Sequence, residues 1–66
     1  MLSARNQFKG KVKSVRLGTV MAEVVVAVDS LEIVSVITRD AAVRLDLKAG
    51  DSVTAVIKST EVMIDK

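Results

Sequence analysis

The chain has 66 residues, half of them hydrophobic, and a net charge of +2 from ten Lys or Arg against eight Asp or Glu. Its single aromatic residue is Phe8, and it has no Cys, His, Pro, Trp or Tyr, which removes disulfide staples, zinc sites, thiol nucleophiles and imidazole bases at once. A chain this short buries only roughly 60% of its extended surface, so without a staple the support left to it is self-association.

An ordinary hydrolase or redox enzyme is not expected, and 1–66 reads as one domain. The longest charge-free stretches, such as Leu17 to Ala22 and Ile33 to Thr38, are six residues, against roughly 18 for a membrane helix. The N-terminus lacks the apolar core of a signal peptide. A cytoplasmic location, with no membrane partner, is the expectation.

In chain order, Asn6 to Arg16 reads as a strand with Phe8, Gly10 and Val12 on one face and Lys9, Lys11 and Lys13 on the other. Gly18 marks a turn or a close backbone approach. Thr19 to Asp29 alternates strictly, with Val20, Ala22, Val24, Val26 and Val28 inward. Asp29-Ser30 links it to Leu31 to Thr38, giving a hairpin from Val20 to Thr38. In that second strand Val34 and Val36 share a face with Glu32 and Thr38, while Leu31, Ile33 and Ile37 take the other.

Apolar residues on both faces of paired strands imply packing on both sides, in a chain this small by another copy of itself. Thr38 is placed to cap a helix over Asp40 to Leu47, with Val43 and Leu47 on one face and Ala42 and Leu45 nearby. Lys48 to Asp51 ends it, Gly50 supplying a left-handed conformation. Ser52 to Lys58 is a strand with Val53, Ala55 and Ile57 inward, and Val62 to Ile64 a short last one. Five strands, with one short helix between the third and fourth, predict an all-β, OB-like barrel.

Three polar segments stand at strand ends: Ser3-Ala4-Arg5-Asn6-Gln7, Thr38, and Lys58-Ser59-Thr60. They offer hydroxyls, amides, one guanidinium and one ammonium, with carbonyl acceptors only on Asn6 and Gln7. Such a set matches a fully deprotonated oxyanion. Arg5 and Lys58 balance two negative charges, and the Thr38 junction adds a helix N-terminus.

The blocks Ser3 to Gln7, Lys9-Gly10-Lys11-Val12, Gly18-Thr19-Val20 with Ala22-Glu23-Val24, Ile37-Thr38, and Ala55 to Met63 together resemble the molbindin, or Mop, family over essentially the whole chain. The resemblance implies strand-exchanged dimers, a homohexamer arranged as a trimer of dimers, and molybdate or tungstate bound at subunit interfaces, for storage or homeostasis and without a cofactor. Molybdenum or tungsten would enter as oxyanion, not as a metal cation. It further implies that Ser3 and Arg5 donate from side chains, Ala4 from its amide, Lys58 from its ammonium and Ser59 from its amide or hydroxyl, with Thr38 reaching in from a neighbouring subunit. Asn6 and Thr60 are secondary candidates. At Ala41, where some relatives carry a hydroxyl residue, either a backbone group or water stands in or affinity is lower. A second kind of family site near the three-fold axes is not assignable to residues here.

The alternative is an OB-type nucleic-acid module using Lys9, Lys11 and Lys13. Single-strand binding wants stacking surfaces, and one Phe on the apolar face does not supply them, so no nucleic-acid partner is expected. Met21 and Met63 read as packing residues, and Glu23 and Glu32 as solvated or ion-paired residues rather than a catalytic pair.

Overall fold

The computed structural model describes residues 4–66. Strands β1 (Asn6–Leu17), β2 (Met21–Val28), β3 (Leu31–Thr38) and β4 (Ser52–Ile57), with helix α1 (Arg39–Arg44) between β3 and β4, form one antiparallel sheet in the order β3-β2-β1-β4. β1 is shared: Asn6 to Lys11 pair with Ile57 to Ser52 of β4, and Lys11 to Leu17 pair with Ala27 to Ala22 of β2.

Two local devices let one strand serve two partners. At Gly10 the chain passes so close to β2 that an added Cβ would lie 2.4 Å from the Ala27 carbonyl oxygen and 2.9 Å from Val28 Cγ2. Just beyond it the register slips between Val12 and Ser14, a bulge that inserts Lys13 and bends the strand. The expected alternation holds to Val12 and then changes phase, so that Val15, not Ser14, packs against the core. Lys13, displaced by the bulge, forms an ion pair with Glu32 across β2.

The buried apolar residues are Val12, Ala22, Val24, Val26, Val28 and Ala42, with Val15, Ile33, Ile37, Leu47 and Val53 packed around the valines. Val20, expected inward, is instead exposed. The Gly18 N–H donates to the Met21 carbonyl oxygen at 2.8 Å, which closes a turn around Thr19 and Val20 and delays β2 to Met21. The β2–β3 connection is the expected Asp29-Ser30, with Asp29 at φ +52°, a conformation Asp tolerates better than most residues. On β3, Ile33 and Ile37 share the inward face, while Leu31 beside the turn is exposed, as are Val34 and Val36 on the opposite face.

The helix is shorter than its periodicity suggests. It ends at Arg44, with the Asp46 N–H donating to Val43 O (3.0 Å) and the Leu47 N–H to Ala42 O (3.2 Å), the paired bonds of a Schellman terminus. Asp46, at φ +51°, takes the left-handed position expected of Gly50, which serves the turn before β4 at φ +95°. Leu47 therefore reaches the core from the cap, Ala42 is buried, and Val43 and Leu45 are exposed.

The fifth strand is absent. Ser59–Glu61 forms a 3-10 turn that leads the chain off β4, and Val62, Met63 and Ile64 beyond it are exposed without a strand partner among the described residues. The sheet is thus open, with β3 and β4 both as edges. Between them lies a trough of about 1060 Å³ floored by Val12, Val24 and Val26.

Gly10→Ala should cost about 1–3 kcal/mol by overpacking against the β2 backbone, read as a lower midpoint in denaturant unfolding. An unchanged midpoint would show that β1 does not need this close approach.

Candidate functional site

Asn6 and Ile57 are the last pair of the β1–β4 ladder, so the residues flanking them, Arg5 and Lys58, leave the sheet at the same end. Both are exposed, and neither is in an ion pair among the described residues. Glu61 borders the trough with Lys58 but does not pair with it. Two unneutralised cations at one sheet end favour an anion beside them.

Backbone geometry adds donors there. Lys58 occupies the N-cap position of the 3-10 turn without a side-chain cap, and the Glu61 N–H returns to Lys58 O at 2.9 Å. The Ser59 and Thr60 N–H groups, the orphan donors of such a turn, meet no acceptor among the described residues.

On the β1 side, Gln7 Nε2 donates to Ala4 O at 2.6 Å, and the Gln7 N–H donates to Arg5 O at 3.1 Å. Gln7, read from sequence as one of the amides of a donor-rich segment that also brings a carbonyl acceptor, here uses its amide nitrogen to hold the segment that carries Arg5. The signal available in the sequence was its position three residues after Ala4, within reach of that carbonyl. Ser3, a predicted donor, lies outside the described residues.

Thr38 lies elsewhere. It pairs with Met21, beside the Leu17–Ala22 pair that ends the β1–β2 ladder. The 12 residues of β1, at roughly 3.3 Å each, put a contour of about 40 Å between that end and Arg5. Thr38 Oγ1 accepts from the Ala41 N–H at 3.1 Å, which leaves its own O–H free to donate. Ala41 accordingly has its amide engaged and a methyl side chain, so it offers no free donor to replace a hydroxyl.

The junction is anchored by Arg39, whose N–H donates to Val20 O (2.8 Å) and whose guanidinium donates to Gly18 O (3.0 Å). With six residues and the Arg39 and Ala41 amides already engaged, α1 presents little dipole at Thr38. The fold thus gathers Arg5, Lys58, Ser59 and Thr60 at one end of β1, where Ala4 and Asn6 also lie, and leaves Thr38 and Ala41 at the other. No group of His, Cys, Asp or Glu among the described residues is arranged to hold a metal cation, and no helix among them is long and apolar enough to cross a membrane.

A TOBE-domain model matches residues 2–64. The chain belongs to the TOBE-domain family, as a molbindin. It is 50% identical over 64 residues to molybdenum-pterin-binding protein 3 of Clostridium pasteurianum, covering 96% of this chain and 94% of the relative. Its fold superposes on a molybdate-binding protein from Sporomusa ovata with a TM-score of 0.95 at 42% identity, over 100% of this chain and 98% of the other. It also matches the cytoplasmic molybdate-binding protein ModG, in a form with molybdate bound, with a TM-score of 0.84 at 47% identity. That match covers 89% of this chain and 43% of ModG. The all-β, OB-like architecture is the one shared with these molbindin structures, and among the described residues it comprises four strands.

Thr38→Ala removes the cap on α1 and should lower unfolding free energy by about 1 kcal/mol, whereas Thr38→Ser, which keeps the hydroxyl, should restore most of it. Equal stability of the alanine variant and the parent would show that the cap does not hold the junction.

Proposed function

We propose that this molbindin binds molybdate and tungstate as a non-catalytic oxyanion store in the cytoplasm, at interfaces between copies in a homohexamer built as a trimer of strand-exchanged dimers. The observation that carries the reading is the donor-rich end of the β1–β4 ladder, where Arg5, Lys58 and the free Ser59 and Thr60 amides form no ion pair or hydrogen bond with a carboxylate among the described residues. Two positive charges and several N–H donors match a tetrahedral dianion with no proton to give. Relatives of this chain are described as binding molybdate.

The interface part of the proposal has separate support. Thr38 keeps a free O–H but sits at the far end of β1 from Arg5, so a site using both takes Thr38 from a second copy. Val34, Val36, Met63 and Ile64 are exposed, and the trough between the two sheet edges lacks a fifth strand. A second chain lending Val62 to Ile64 would cover both kinds of surface.

The same chemistry sets selectivity. A donor-only site disfavours hydrogenphosphate, whose proton needs an acceptor, but leaves sulfate to be rejected by its smaller size. Tungstate, close to molybdate in size and charge, should compete well.

Titration calorimetry with molybdate, tungstate, sulfate and phosphate tests the reading; absence of heat with molybdate at micromolar protein would sink it. Arg5→Ala and Lys58→Ala each remove a charged donor and should weaken molybdate binding by about 1.5–3 kcal/mol, or roughly ten- to hundredfold. Light scattering should return a hexamer, and a monomer that still binds molybdate would refute the interface site.

A further inference from the structure

The backbone entering β1 carries an acceptor where an oxyanion site can least tolerate one. The Ala4 carbonyl stands one residue from Arg5, and a carbonyl oxygen facing a dianion is repulsive. In a planar trans peptide the Ala4 C=O and the Arg5 N–H point in opposite directions, so whichever way this peptide turns decides whether the site gains a donor or an acceptor. In the structure the choice is made by Gln7: its Nε2 takes the Ala4 oxygen at 2.6 Å, while its own N–H takes the Arg5 oxygen at 3.1 Å. Both carbonyls are thereby tied to one residue, and the Arg5 N–H meets no acceptor among the described residues.

We propose that Gln7 is the positioning residue that sets the polarity of the oxyanion site, holding the Ala4–Arg5 peptide with its acceptor turned away and its donor presented. This rests on the oxyanion reading above. Gln7 is exposed and opposite Val56 on β4, and its amide group has no other partner among the described residues. A side chain at that place needs only to be polar for solubility; a bond to a specific carbonyl is more than solubility requires. Asn, one methylene shorter, would not span to Ala4 in the same way.

The consequence is one of selectivity. With the peptide released, the Ala4 oxygen becomes available to accept the proton of hydrogenphosphate, while a fully deprotonated anion loses the Arg5 N–H and gains a repulsive neighbour. Gln7→Met keeps the length and removes the donor. Competition calorimetry of molybdate against phosphate at fixed pH should show molybdate affinity falling about tenfold, with the molybdate-to-phosphate ratio falling by at least as much. Gln7→Glu keeps size and polarity but cannot donate when ionised; its added charge acts on both dianions, so its ratio should also fall.

Val53→Ala, a packing change on β4 that spares the Ala4–Gln7 bond, gives the comparison for simple destabilisation and should leave the ratio as in the parent. A parent-like ratio in both Gln7 variants, with the parent binding molybdate, overturns the positioning role alone. A parent protein that does not bind molybdate overturns the oxyanion reading and this role with it.

Discussion

The fold depends on a division of labour within β1, which hydrogen-bonds to β4 through its first half and to β2 through its second. That division is possible because Gly10 lets β2 come within contact of bare backbone and the bulge at Lys13 bends the strand directly afterwards. From it follow the curl of the sheet over Val12, Val24 and Val26, the open trough between β3 and β4, and the separation of the polar groups. Arg5 and Lys58 share an end because β1 and β4 are antiparallel there. Thr38 is remote because β2 and β3 attach only to the other half.

Most of the regular structure was legible in residue patterns. The strict alternation of Ala22 to Val28, the Asp29-Ser30 connection and the Thr38 cap all follow from side-chain period and turn chemistry. What the pattern concealed was backbone irregularity. The bulge moves Val15 into the place Ser14 would have held, and no residue type announces it. Val20 looks like the first inward residue of β2, but the bonds from Gly18 to Met21 and from Arg39 to Val20 hold it in a turn. The helix ends early because an aspartate, Asp46, adopts the left-handed conformation that sequence rules assign first to glycine.

The candidate site was half visible. Arg5 and Lys58 taken singly read as solvated strand-end cations and become site candidates only with the family pattern beside them, and the register then brings them to one place. The role of Gln7 depends on where a single carbonyl faces, which composition does not encode. Val62 to Ile64 has the residues of a strand without a partner in its own chain, since pairing is a property of two strands and a sequence shows one. The small core and the exposed Val34, Val36, Met63 and Ile64 fit the exchange proposed above, in which a chain too short to cover its own apolar surface would lend part of it to another copy.

The two ladders of β1 also differ in how far apart in the chain their partners lie. The β2–β3 hairpin closes through two residues, and β1 joins it across one short turn, whereas the Asn6–Ile57 pair joins residues separated by about fifty others. Closing that long loop carries the largest entropy cost in the sheet and is repaid only after the intervening hairpin and helix have formed. Loop-closure entropy alone would therefore place the Asn6–Ile57 end, flanked by Arg5 and Lys58, last in the order of assembly. An anion held there, as proposed above, would favour that closure, drawing together two segments far apart in the chain.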